Sequence, residues 1–171
     1  IVIDTDWRTD VNGWGYDVNT KLFPDMKGFL AKVHAQNVDV MFNDHPEPVD
    51  GANVFDPKEI AYRERSLQQL LDIGLDTWWY DRNWHTKLVS PVKGIAPETW
   101  GMHIFSDVTR YVRQRQAKND VVYRRADIMA NVDNINNGLY VGIGNSASHR
   151  YSIQWTGDIG TSDQDILEEV T

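Results

Sequence analysis

Short apolar runs that each stop abruptly at an acid set the rhythm of this chain. Ile1-Val2-Ile3 leads into Asp4-Thr5-Asp6-Trp7, and Val38-Asp39-Val40-Met41-Phe42 leads into Asn43-Asp44-His45-Pro46. Residues 75–80 close on Thr77-Trp78-Trp79-Tyr80 and deliver Asp81, and residues 151–155 deliver Thr156-Gly157-Asp158. Brief runs of β-branched and aromatic residues bounded by polar ones read as strands buried in a parallel sheet. On that reading the first strand carries Asp4 and Asp6 on one face of its end.

Between these runs the period changes. Pro24 opens a helix in which Met26, Phe29, Leu30 and Val33 recur at i, i+3, i+4 and i+7, and Asn37 stops it. Asp56-Pro57-Lys58-Glu59 joins an acidic N-cap to proline at the first helical position and glutamate at the third. Ile60, Leu67, Leu70 and Leu71 then share a face, and Gly74 ends the helix. Pro97 and Glu98 open a third helix that turns Trp100, Ile104, Phe105, Val108, Tyr111 and Val112 inward. Residues 9–20, rich in Gly and Asp and holding Trp14 and Tyr16, read as a long strand-to-helix loop of the kind that builds a site. Residues 121–137 fit either a continued helix or an inserted loop. Residues 139–144 and 151–155 read as strands, and Ser162 caps a last helix. Strand, helix, strand, helix, strand, at roughly 40 residues per unit, is the pattern of βα units around a parallel sheet.

Composition narrows the function classes. At 171 residues the chain suits one domain with a core of its own. A net charge of -8, from 17 basic and 25 acidic residues, argues against a nucleic-acid or anionic-membrane partner. No apolar stretch approaches the roughly 18 residues of a membrane span. The absence of cysteine removes disulfides and thiolate metal sites. His45, His85, His103 and His149 lack metal-ligand spacing, so no metal is expected. Gly142-Ile143-Gly144 lacks the rest of a phosphate-binding loop, and no G-x-S-x-G elbow occurs; no cofactor is expected.

The 7 Trp and 7 Tyr, many beside Asp, Gly or His, change the picture most. Sugar rings offer flat CH faces to stack on and hydroxyls for carboxylates to hold. Acids stand at strand exits: Asp4 and Asp6, Asp44, Asp81, Asp158. In barrels of alternating strands and helices that end carries the chemistry. A carboxylate pair can cleave a glycosidic bond, one member attacking or steadying the anomeric centre and the other protonating the leaving oxygen. The first must stay ionised, and the second must be kept protonated by burial or by its neighbour's charge.

At these residues the chain resembles glycoside hydrolase family 31, the retaining α-glucosidases and α-glucan-processing enzymes on a (β/α)8 barrel. Asp4-Thr5-Asp6-Trp7 is similar to the family's Asp-x-Asp strand end, and Leu22-Phe23-Pro24-Asp25, with Phe29-Leu30 and His34 after it, to its Phe-Pro-Asp helix. Asn43-Asp44-His45-Pro46 resembles the Asn-x-His-Pro variant of one branch. Trp78-Trp79-Tyr80-Asp81 matches the nucleophile strand, and Arg150-Tyr151 with Trp155-Thr156-Gly157-Asp158 matches the acid/base signature. The order and spacing of these motifs agree along essentially the whole chain.

The resemblance implies roles. Asp81 would be the nucleophile forming a β-linked glucosyl-enzyme, and Asp158 the general acid and then the general base. Asp4 would hold sugar hydroxyls in the -1 subsite, Trp79 would wall it, Trp155 would pack behind Asp158, and Thr5 and Arg150 would support the site. Two departures stand out. Many members continue Asp-Met-Asn-Glu where this chain has Asp81-Arg82-Asn83-Trp84, and many carry an arginine where Gly142 aligns. Arg82 and His149 are the candidate replacements for that cation. These changes fit an unusual α-glucan specificity, such as cyclic or α-1,6/α-1,3-linked oligosaccharides of the cycloalternan kind.

The fold implied is α/β, an incomplete TIM-type (β/α)8 barrel with about five of the eight strands. Residues 1–171 would then be the central portion of a catalytic domain excised from a longer multidomain chain, whose remainder closes the barrel around an α-linked glucose oligosaccharide. Open parallel edges predict that such a piece is not independently stable. The rival expectation is a catalytically silent carbohydrate-binding barrel that keeps the stacking residues; Asp81 and Asp158, both in place, favour the enzyme.

Overall fold

The computed structural model of the chain describes residues 1–9, 15–45, 57–81, 93, 97–117, 125–131, 153–155, 162–164 and 167. Within them five strands pair in parallel in chain order: β1 (Val2–Ile3), β2 (Met41–Asp44), β3 (Thr77–Tyr80), β4 (Ile128–Asn131) and β5 (Ile153–Trp155). Helices α1 (Met26–His34), α2 (Pro57–Asp72) and α3 (Pro97–Gln116) provide the first three crossovers that parallel pairing demands. The chain is therefore α/β around a parallel sheet, as its strand–helix rhythm predicts. No helix among the described residues is long and apolar enough to cross a membrane.

Local chemistry sets the element boundaries. The Asp25 carboxylate accepts from the Gly28 N–H at 2.9 Å and caps α1, satisfying a donor that the first turn leaves open. Past the end of α1, Asn37 takes φ 57°, a left-handed position that asparagine tolerates better than most residues. After α2, Gly74 takes φ 121°, where only glycine is unstrained.

Strand alternation gives the sheet two unlike faces. Phe42, Trp78, Tyr80 and Ile128 are buried on one of them, with Leu30, Val33, Leu67, Leu71, Phe105, Val108 and Val112 of the helices in the same core. Trp7 joins this core, stacking on Phe42 at 5.3 Å and meeting Trp78 edge-on at 5.7 Å. Such ring pairs add about 0.5–1.5 kcal/mol each beyond the area they bury. The other face carries the row Asn43, Trp79, Met129 and Ile153 across four paired strands. Here Trp79, Met129 and Ile153 are only half-buried, so this face is the less covered one.

Three expectations need correction. Asp4 and Asp6 do not share a strand face, because β1 ends at Ile3 and Thr5–Trp7 form a 3₁₀ turn capped by Asp4. The turn swings Trp7 under the sheet, and burial of that indole outweighs two more residues of strand. Residues 128–131, expected within a helix or loop, form β4, because pairing with β3 and burial of Ile128 override local helical preference. On α3, Tyr111 lies outward at 56% exposure beneath the Arg115 guanidinium, while Met102 is fully buried. The buried stripe is rotated away from position 111 by packing on Tyr80, whose ring lies 4.8 Å from Phe105. The side chain of Trp100 and the strand expected at 139–144 lie outside the described residues. Asp163, Gln164 and Leu167 are helical, where a last helix is expected.

Candidate active site

Asp81 follows β3 directly, so the middle strand of the row delivers it to the carboxyl edge of the sheet. Its N–H continues the ladder, donating to the Asp44 carbonyl at 3.0 Å. Its carboxylate is 5% exposed by residue, yet it lies on the less covered face. Asn43 Nδ2 donates to Asp81 Oδ2 at 2.9 Å, and His45 Nε2 stands 4.0 Å from the same oxygen. Asn43 is paired in register with Trp79, two residues before Asp81, so alternation brings both side chains to one face.

Asn43 is itself held from behind. Its carbonyl accepts from the buried Trp7 indole N–H at 2.6 Å. Its side-chain Oδ1, however, is buried and has no hydrogen-bond partner among the described residues. Leaving such an acceptor unsatisfied costs about 1–3 kcal/mol, against which stands the bond that the same amide makes to Asp81.

Asp44 serves a different purpose from the one its position at a strand exit predicts. It faces the opposite side of the sheet and is fully buried, 2.7 Å from the Arg8 guanidinium, with Tyr16 Oη donating to its other oxygen. Arg63 of α2 donates to Tyr16 Oη at 2.8 Å and lies 3.6 Å from Glu59. Burial pushes the Tyr16 hydroxyl well above its ordinary range; Asp44 adds to the shift and Arg63 opposes it. Burial works against the charge on Arg63, but Tyr16, Asp44 and Glu59 raise its pKa nonetheless. This chain ties the turn after β1, the loop at residues 15–20 and α2 to the end of β2. It fixes the strand that carries Asn43 and ends just before His45.

Asp4 and Thr5 stand at the carboxyl end of β1, on the same edge of the sheet as Asp81. Asp4 is exposed and accepts from the Thr5 N–H at 2.7 Å, an intraloop bond that leaves the residue open to solvent. Trp79 lies half-buried on the face of Asn43. Trp155 ends β5 in register with Asn131 of β4. Asp158, Arg82, His149 and Arg150 lie outside the described residues. The structure thus brings Asp81 and Trp79 together, with Asp4 and Thr5 along the same edge.

No protein-family model matches the chain, and no curated protein matches it either. Solved structures do. One is a family 31 α-xylosidase from a soil metagenome complexed with xylose, at TM-score 0.56 and 11% identity over 99% of this chain. Another is a family 31 sulfoquinovosidase from E. rectale with an aza-sugar inhibitor, at TM-score 0.54 and 13% identity over 94% of this chain. The shared feature is the fold. At these identities the likeness extends no further, and the chain spans 29% of the length of each of the two. Both neighbours are enzymes of the family that the motifs resemble.

Asn43, His45, Arg8, Tyr16 and Arg63 were not singled out from sequence as parts of one assembly. Asn43 and His45 carried a signal, since both lie in the polar exit of an apolar run. Arg8 and Arg63 carried none, because an isolated arginine reads as surface until a buried partner is known.

Proposed function

We propose that this chain is the central part of the (β/α)8 catalytic domain of a family 31 glycoside hydrolase, with the rest of a longer chain closing the barrel. The observation that carries the reading is the buried Asp81 carboxylate at the carboxyl edge of a parallel sheet, hydrogen-bonded by Asn43 on the less covered face. That edge is where barrels of this type hold their chemistry. Motif order and a shared fold with two family 31 enzymes support the same conclusion.

The mechanism proposed is double displacement. An oxygen of Asp81 attacks the anomeric carbon while Asp158 protonates the departing glycosidic oxygen, giving a β-linked glycosyl-enzyme and a free alcohol. Asp158 then takes a proton from water, or from an acceptor sugar, which displaces Asp81 with net retention. Asp4 would hold hydroxyls of the -1 sugar, with Trp79 as a wall and Thr5, Arg82, His149, Arg150 and Trp155 around it. The substrate proposed is an α-linked glucose oligosaccharide.

The test is Asp81→Asn in the full-length protein, assayed on α-glucosyl fluoride. Turnover is expected to fall by at least about 10⁴-fold, on the scale seen when a covalent nucleophile is lost. Undiminished turnover overturns the reading. Wild-type rates on aryl α-glucoside, α-xyloside and α-sulfoquinovoside decide the sugar; a clear preference for either of the last two removes the glucose assignment but keeps the mechanism.

A further inference from the structure

We propose that Asn43 is the positioning residue for the Asp81 carboxylate, holding Oδ2 so that the group meets the anomeric carbon in one orientation. The inference rests on the reading of Asp81 as nucleophile. Only the NH₂ end of the amide can face a carboxylate, so the bond at 2.9 Å also fixes which way the Asn43 amide points. That choice strands Oδ1 in a buried place without a donor among the described residues. An apolar side chain of similar volume would spare Oδ1 but leave Asp81 Oδ2 without this donor, so what the amide supplies at this place is its bond to Asp81.

The holding is stiff at both ends. Asn43 is 1% exposed, its backbone carbonyl is pinned by the Trp7 indole at 2.6 Å, and its strand is paired with β3 on the Asp81 side. Asp81 is secured in turn by its own N–H on the Asp44 carbonyl. A donor on Oδ2 also limits rotation of the carboxylate, which sets the direction from which it can attack. Among the described residues His45 Nε2 also stands 4.0 Å from Asp81 Oδ2, while the buried Arg8–Asp44 pair lies on the other face of the sheet.

The experiment is Asn43→Leu in the full-length protein, with Asn43→Ala as a second variant in case leucine packs badly. The expected result is a kcat/KM lowered roughly 10- to 100-fold, mostly through kcat, the range for a hydrogen bond to a charged group. The loss should fall on kcat and leave KM within about 2-fold, because the bond orients the attacking carboxylate and does not touch the bound sugar. Thermal midpoints should change little in Asn43→Leu, because relief of the stranded Oδ1 offsets the donor lost by the buried Asp81 carboxylate. The same split is expected in a His45→Gln background, which separates the Asn43 bond from the imidazole beside it. A lowered midpoint with kcat unchanged in both variants makes Asn43 merely structural and overturns the proposal. So does a kcat that falls only while His45 is present. Asp81→Asn, measured alongside, keeps the two readings apart: if it abolishes turnover while the Asn43 variants stay at wild-type rates, only the positioning role falls.

Discussion

Arg8 and Asp44 form an ion pair at 2.7 Å from which solvent is wholly excluded. Arg8 stands just past the 3₁₀ turn and Asp44 at the end of β2, so the contact closes a loop of sequence across the carboxyl edge of the sheet. A buried pair contributes little net stability over an apolar one, but loss of one partner leaves an uncompensated charge. Arg8→Met is expected to destabilise the full-length protein by about 3–5 kcal/mol in urea unfolding. Arg8→Met with Asp44→Asn, which keeps an acceptor for Tyr16, should recover most of that loss. Additive losses in the double variant would show that the two residues do not act as a pair.

Tyr16 links Asp44 to Arg63, and its hydroxyl titrates above the ordinary tyrosine range because it is buried. Tyr16→Phe should cost about 1–3 kcal/mol near neutral pH, since two buried partners lose a hydrogen bond. The folded pKa lies above the unfolded value of about 10, so Tyr16 binds its proton more tightly when folded. Its contribution is therefore complete below about pH 10 and is lost as pH rises toward the folded value. The gap between wild type and Tyr16→Phe should narrow in alkaline unfolding curves, and a constant gap would contradict the burial of this hydroxyl.

Gly101 on α3 packs against the Tyr80 ring. A Cβ there would lie 2.5 Å from Tyr80 Cζ and closer still to the hydroxyl, inside any real contact. Gly101→Ala should lower the thermal midpoint by the equivalent of about 1–3 kcal/mol, despite alanine's better helix propensity. Tyr80→Phe in the same background should restore only part of it, because the ring carbons also clash.

Trp79 shares its face with Asn43 and is half-buried. If it walls a sugar subsite, Trp79→Ala should raise KM for a short α-glucan by about 10-fold or more, while Trp79→Phe, which keeps a flat ring, should lose less. Equal losses for the two variants would argue for a packing role instead. Steady-state kinetics on the full-length protein read the difference.

Alternation and periodicity were enough to predict the strands ending near Asp44, Tyr80 and Trp155, the existence but not the end of the first strand, the three helices, and the exit position of Asp81, because those features depend on near neighbours in the chain. Asn37 and Gly74 announced their boundaries for the same reason, left-handed backbone being local chemistry, whereas the helix expected to open at Pro24 begins two residues later behind the Asp25 cap. Residues 128–131 could not be read this way, since their strand exists only through pairing with β3. Nor could Asp44 be told from Asp81, two acids that each leave a β-strand. Sheet register turns Asp44 toward Arg8 and the helices, and sets Asp81 beside Asn43 on the opposite face. The sequence by itself determined that Asp44 and Asp81 reach the carboxyl edge of the sheet. Only the tertiary structure decided which of them is consumed by a buried partner 36 residues away and which lies beside Asn43 on the less covered face, because a charge takes its role from the groups that burial brings against it.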